Sequence, residues 1–259
     1  MKYSILMPYL NRHIQFQHTL ESFLYYYKNR KDYEVIVIEE YKNVINERAH
    51  NLLVDLVSKY SEFIDIKHIE HTEDNCYNPT PLFNMGSNIS TGKFLIITNP
   101  ECLHPSDVLK EFDSEFDKNE NVYIVCACRN VTPSTLEYIS SSEIHKVILG
   151  TWYQHTQHNN RAFHWCSAIS KLNYDKIGGF DEKFKYGIGF DDNDFRDTVL
   201  QSEIPFVFRD DIVIFHTNHE SINQVTGLIG QESRRLFFIN KEYYLTKRAK
   251  RNIAIPFGD

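Results

Sequence analysis

The sequence predicts an α/β fold, with a mostly parallel central sheet flanked by helices and an α+β extension in its second half. Two observations predict it. In the first half, short apolar runs alternate with segments of helical spacing, the pattern of βαβ units joined by right-handed crossovers. The clearest of these runs is apolar without interruption, as suits a strand buried on both faces.

The elements follow in order. Tyr3 to Met7 is an apolar β-like run stopped by Pro8. His13 to Lys28 carries Phe16, Leu20, Phe23, Leu24 and Tyr27 at helical spacing. Glu34 to Ile38 is a continuous Val/Ile strand, Val44 to Tyr60 a helix, and Phe63 to Ile69 a strand. Leu82 to Ser90 (helix), Phe94 to Thr98 (strand), Ser106 to Phe116 (helix) and Val122 to Ala127 (strand) complete the alternation. Ligands of such sheets sit beyond the carboxyl ends of the strands. That rule singles out Tyr9 to Arg12, Glu39, Glu40, and Asn99 to Glu101.

The second half is less regular. Leu136 to Asn160 is polar and aromatic without strand alternation, which predicts a long surface connection. Ala162 to Ile169 predicts a strand and Lys171 to Ile177 a short helix. A stretch with four glycines and five acids (residues 178–195) then opens a helix over Asp191 to Leu200. Phe206 to Phe208 and Ile212 to Phe215 predict two short strands before His216. No internal repeat or linker interrupts residues 1–259, so a single domain is expected.

Composition excludes several classes. Apolar residues make up 42% and charged residues 24% of the chain, close to globular averages and unlike disordered, collagen-like or coiled-coil proteins. No window approaches the ~18 uninterrupted apolar residues of a membrane span. The segment MKYSILMPYLNR lacks the pattern of a signal peptide or anchor. The five cysteines are an odd number, and Cys126 and Cys128 are spaced unlike paired metal knuckles. Reduced thiols in a cytoplasmic protein are the expectation. A formal charge of -7 argues against a general nucleic-acid binder.

Two constellations could carry chemistry. Asp191, Asp192 and Asp194 crowd three carboxylates just after Gly187 and Gly189. They form either an acidic helix cap facing solvent or a general base beside a glycine loop that lets backbone approach a ligand. His216 and His219 follow the last predicted strand. Each is either a satisfied hydrogen bonder or, with a distant carboxylate such as Glu101, a ligand suiting Mn or Zn. His145, His155, His158 and His164 have no metal-binding spacing and are expected to be loop residues.

Taken together, these pieces resemble a nucleotide-sugar glycosyltransferase of the GT-A fold, near the β-1,4-galactosyltransferase and family 2 glycosyltransferase group. Pro8-Tyr9-Leu10-Asn11-Arg12 resembles that group's Pro-Phe-Arg-Asn-Arg. Asn46-Glu47-Arg48-Ala49 resembles Asn-Arg-Ala, and Leu82-Phe83-Asn84-Met85-Gly86 resembles Leu-Leu-Asn-Val-Gly. Ser167-Ala168-Ile169-Ser170-Lys171 resembles Ser-Ala-Leu-Ser-Lys. Gly178-Gly179-Phe180 through Gly187-Ile188-Gly189-Phe190-Asp191-Asp192-Asn193-Asp194 resembles Asn-Gly-Phe followed by Trp-Gly-Trp-Gly-Gly-Glu-Asp-Asp-Asp. Order and spacing agree from residue 3 to about 216.

The resemblance implies an inverting transfer of a hexose or N-acetylhexosamine, galactose-type favoured, from a UDP-sugar to a saccharide acceptor. Residues 1–130 would bind the nucleotide sugar, 131–229 would form the acceptor and catalytic half, and 230–259 a basic amphipathic helix and tail. Pro8, Tyr9, Asn11, Arg12, Glu39, Glu40, Asn84, Asn99 and Gly189 would bind the donor, with Arg12 at the phosphates and Glu39 or Glu40 near the uracil. Glu101 and His216 would hold Mn2+ or Mg2+ on the diphosphate. Asp192 would be the base, with Asp191 beside it contacting a sugar. Trp165, Tyr186 and Phe190 would meet the acceptor, in a region that also holds Trp152, Tyr153 and Phe180. Polysaccharide biosynthesis is the implied setting.

Several positions depart from the group. Its Asp-X-Asp metal motif is here Asn99-Pro100-Glu101, which loses one charge and implies weaker metal affinity. Leu10 replaces an Arg, Ile188 a Trp and Phe190 a Gly. A non-catalytic sugar-nucleotide or glycan-binding protein is therefore the alternative expectation. Finally, Arg234, Arg235, Lys241, Lys247, Arg248, Lys250 and Arg251 stand against one acid between them, Glu242. This is either a solvated helix face or a peripheral contact with the anionic inner face of a membrane.

Overall fold

A computed structural model of the chain describes residues 1–40, 47–73, 76–132, 141–219, 230–251 and 253–258. The first elements are β1 (Tyr3–Tyr9), α1 (His13–Tyr26), β2 (Tyr33–Glu40), α2 (Glu47–Tyr60), β3 (Asp65–His71) and α3 (Thr80–Ile89). Next come β4 (Phe94–Thr98), β5 (Cys102–Leu103), α4 (Val108–Lys118), β6 (Tyr123–Val131) and β7 (Leu149–Gln154). The chain continues with β8 (Cys166–Ser170), α5 (Lys171–Ile177), α6 (Asp191–Gln201), β9 (Phe206–His216) and α7 (Gln231–Arg248).

Nine strands make one sheet in the order β3-β2-β1-β4-β8-β6-β9-β5, with β7 added on β6. Strands β1 to β4 run parallel to one another, as the alternating pattern predicts. β8 enters antiparallel between β4 and β6, while β6 and β9 are again parallel.

β1 and β2 are buried along their whole length, which is why β2 has so long an apolar run. Alternate side chains feed two cores. Ile5, Met7, Val35 and Val37 pack with Phe16, Leu53 and Phe112 of α1, α2 and α4. Leu6, Ile36 and Ile38 pack with Leu82, Phe83 and Phe195 on the other face. The same parity sends Glu39 and Glu40 to opposite faces of the sheet.

The second half corrects two expectations and refines a third. Leu149–Gln154, inside the predicted surface connection, is a sheet strand on β6, with half-buried side chains that blur the alternation. Residues 133–140 of that connection lie outside the described residues. The two short strands expected around Arg209, Asp210 and Asp211 are one, β9. Its polar triplet is absorbed where the pairing with β6 slips between Cys126 and Ala127, and Arg209 is held by Glu111, Glu115 and Asp211.

The third concerns the basic run. Lys247 and Arg251 point inward to Asp194, at 2.8 and 2.9 Å. Leu236, Asn240 and Tyr244 bury the inner side of α7. Asn240 donates to the carbonyls of Phe184 and Gly189, both at 2.9 Å. Among the described residues no helix is long and apolar enough to cross a membrane.

Candidate active site

The carboxyl ends of β1, β2 and β4 open on a cleft of about 160 Å³. Pro8, Tyr9, Arg12, Glu40, Tyr77, Asn78, Asn99 and Glu101 are among its lining residues. Asn11 takes a φ of 50° and turns the chain from β1 into α1, placing Arg12 directly before the helix. Arg12 is buried, with its Nε 3.9 Å from Glu101 Oε2.

One wall of the cleft carries a three-residue donor cluster. Cys102 pairs with His216 across β5 and β9, which brings Glu101 beside the end of β9. Glu101, His216 and His219 each offer a ligand atom, and these atoms lie within 4.8 Å of one another. His216 Nδ1 lies 3.1 Å from Asn130 Oδ1. An amide oxygen only accepts, so Nδ1 carries the proton and Nε2 keeps a bare lone pair. That Nε2 is buried and has no hydrogen-bond partner among the described residues. Burial, then His219 and Arg12, push the His216 imidazole down to about 3, so the ring is neutral. A neutral imidazole fixed through its other nitrogen, next to a carboxylate and a second imidazole, is a donor set that fits a divalent cation.

The acid pair adjoins the cleft behind its lining residue Asn78. Gly189 and Phe190 both take left-handed backbone, φ 71° and 66°, and turn the chain so that α6 starts at Asp191. Asp191 accepts from Asn78 Nδ2 at 2.7 Å. His164 Nδ1 lies 2.9 Å from Asp192 Oδ1, within ion-pair distance when the ring is protonated but without the alignment of a hydrogen bond. The backbone N–H of His164 donates to the same oxygen at 3.2 Å. Burial and the charge of Asp192 push the Asp191 carboxyl up to about 6. Burial also acts to raise Asp192, but His164 outweighs it and holds that carboxyl below the ordinary range. Asp192 is the accessible one, with 25% side-chain exposure against 7% for Asp191.

A third group also lines the cleft. Glu40 accepts from His71 Nδ1 at 3.0 Å, while its Oε1 is buried without a hydrogen-bond partner among the described residues. Glu40, Cys76 and Tyr77 all line the cleft. An unpaired carboxylate oxygen beside an aromatic ring suits a planar ligand with a ring N–H.

No known family profile matches the chain, and no curated protein matches it in sequence. Solved structures do match. TarS from S. aureus (residues 1–349), in complex with UDP-GlcNAc, superposes with a TM-score of 0.71 at 12% identity, over 98% of this chain and 68% of that one. The mannosyltransferase PcManGT from Pyrobaculum calidifontis, in complex with GDP-Man and Mn2+, gives 0.64 at 13% identity, over 98% and 66%. GalNAc-T7 with UDP, GalNAc and Mn2+ gives 0.64 at 12% identity, over 100% and 53%. The chain has the GT-A fold.

Within this GT-A fold the predicted residues divide. Pro8, Tyr9, Arg12, Glu40, Asn99 and Glu101 share the cleft, and His216 joins Glu101 as expected from the end of β9. Asn11 shapes the turn and does not line the cleft. Gly189 sets the backbone of the acid turn, its carbonyl held by Asn240.

Glu39 is displaced from its expected role. On the opposite face from Glu40, it lies 2.8 Å from His50 Nδ1 and 3.0 Å from His68 Nε2. Asn84 is likewise a brace: its amide bonds the Phe180 backbone, Glu182 and the Tyr174 hydroxyl.

The expected acceptor aromatics do not form one platform. Trp165 and Tyr153 pack against the His216 ring, at 5.1 and 4.7 Å. Phe190 stacks on Tyr244 and Phe237 of α7. Tyr186 is exposed, and Phe180 is a core residue stacked on Phe83 and Phe195. Trp152 lies away from them, against His155, His158 and Arg129.

Three residues were missing from the predicted set, His164, Tyr77 and Asn78. His164 was expected to be a loop residue because no spacing links it to the acid pair 28 positions later. Its one signal was a place at the mouth of the predicted strand Ala162 to Ile169.

Proposed function

We propose that the chain is an inverting glycosyltransferase that moves a hexose or N-acetylhexosamine from a UDP-sugar to a saccharide acceptor. The observation that carries this reading is the span of the cleft. Its lining runs from Asn78, whose amide holds Asp191, to Glu101, in the cluster with His216 and His219. On this reading Asp192, next to the Asp191 that Asn78 holds, would face the same space as the leaving-group brace, as glycosyl transfer requires. The GT-A fold shared with structures that hold UDP-GlcNAc, GDP-Man or UDP supports the donor class.

Glu40 and Tyr77 would take the base, and Arg12 the diphosphate, where a planar guanidinium suits bidentate contact. Glu101, His216 and His219 would hold Mn2+ or Mg2+, which when bound neutralises charge on the departing diphosphate. Asp192 would accept the proton of the acceptor hydroxyl as its oxygen bonds to the sugar C1 and the C1–phosphate oxygen bond breaks. Asp191 would sit beside it with its carboxyl partly protonated near neutral pH. Trp165 and Phe190 remain the aromatic faces proposed for the acceptor side. The outer face of α7 would touch an anionic membrane.

Asn99 in place of a charged ligand favours the alternative, a binder without turnover. Both readings meet in one experiment. A panel of nucleotide sugars is incubated with and without Mn2+, and nucleotide release by slow hydrolysis is scored. Metal-dependent release from a UDP-sugar is expected; binding without release from any donor would favour the binder.

A further inference from the structure

We propose that His164, as an imidazolium, is the positioning residue that keeps Asp192 ionised and aimed for catalysis. This rests on the reading of Asp192 as the base. Two adjacent carboxylates in one buried pocket disfavour each other's ionisation, so without a nearby positive charge the proton can rest on either one. His164 meets this with one charge and two contacts. Its Nδ1 lies 2.9 Å from Asp192 Oδ1, and its Nε2 lies 3.9 Å from Asp191 Oδ2.

The ring is buried against a stack of Phe83, Phe180 and Phe195, whose planes stand close to perpendicular to it at centroid distances of 5.0, 5.0 and 6.4 Å. The His164 backbone N–H binds Asp192 Oδ1 as well, so ring and main chain hold the same oxygen. Both contacts fall on Oδ1 of a side chain that is 25% exposed, which would leave Oδ2 for a hydroxyl. Among the described residues, the charged groups against the imidazole are the two aspartates. Arg196 lies one turn further along α6, and Tyr123 and Tyr153 also act on Asp192 or feel its charge. The asymmetry of the pair, with Asp191 raised and Asp192 lowered, agrees with this arrangement.

The test is the pH dependence of transfer by His164→Gln, with folding checked by circular dichroism. Partners that orient an acting group are worth ~10–100-fold, so kcat should fall by that factor with the donor KM little changed. The acidic limb should move up by about one unit or more, because Asp192 loses its opposite charge. A limb at the parent's pH would overturn the proposal while leaving the glycosyltransferase reading intact. Absence of transfer by the parent with every donor would instead overturn that reading. Should His164→Gln fail to fold, 15N spectra of the parent decide: an imidazolium at neutral pH that turns neutral in Asp192→Asn is expected. A neutral His164 ring in the parent would overturn the proposal.

Discussion

Thr217 donates twice to the carbonyl of Glu101, through its backbone N–H at 2.9 Å and its hydroxyl at 3.1 Å. The contact ties the end of β9 to the strand-end carboxylate, so the donor cluster depends on it as much as on its ligands. Thr217→Val keeps the shape and removes the hydroxyl bond. A loss of about 1 kcal/mol in stability is expected, together with a higher Mn2+ concentration for half-maximal activity. Denaturant melts and a metal titration measure both.

Asp192→Asn should lower sugar transfer by ~10²–10⁴-fold, the usual contribution of a general base. The substituted side chain keeps an oxygen for the His164 contacts, so UDP affinity should stay within about twofold of the parent. Calorimetry with UDP and a transfer assay separate these effects. A variant that turns over like the parent removes Asp192 from the base role.

Asp191 gives a prediction with a defined sign. Its carboxyl sits near 6 in the fold, raised by burial and by Asp192, against about 3.9 in an unfolded chain. The folded state therefore holds the proton more tightly. The stability linked to it is full below the unfolded value and lost as pH rises through 6. Asp191→Asn still accepts from Asn78 and escapes this loss. It should melt above the parent at about pH 8, by on the order of 1–3 kcal/mol, with the gap closing below about pH 4. Thermal melts across that range check it.

The outward face of α7 carries Phe238 and Leu245, each 46% exposed, with Lys241 between them. Truncating the chain before α7 would also take away Lys247 and Arg251, which hold Asp194, so truncation is a poor test of membrane contact. Substituting Phe238, Lys241 and Leu245 together by Ser leaves those ion pairs in place. Partitioning onto phosphatidylserine vesicles should fall, by about 1 kcal/mol for the lysine plus the lost apolar contacts. Unchanged sedimentation with vesicles would make this a solvated face.

What the sequence showed and what it hid have physical reasons. The parallel half was legible because β2 is buried on both faces and so is apolar throughout. Glu101 and Asp192 were legible because strand ends and helix starts mark themselves. His164 was hidden because its partners are on α6, and a long-range ion pair leaves no spacing. Glu39 was misjudged because adjacent residues on a strand face opposite ways. Only the positions of His50 and His68 reveal which of the two glutamates faces the cleft. β7 was missed because its half-buried side chains show neither alternation nor an apolar run.

The most direct test of the account is a crystal of the protein with a UDP-sugar analogue and Mn2+, read by anomalous scattering. The account predicts a manganese peak bonded to Glu101 and His216, with the diphosphate between it and Arg12 and the sugar facing Asp192. A nucleotide bound elsewhere, or a metal held without Glu101 and His216, would contradict it.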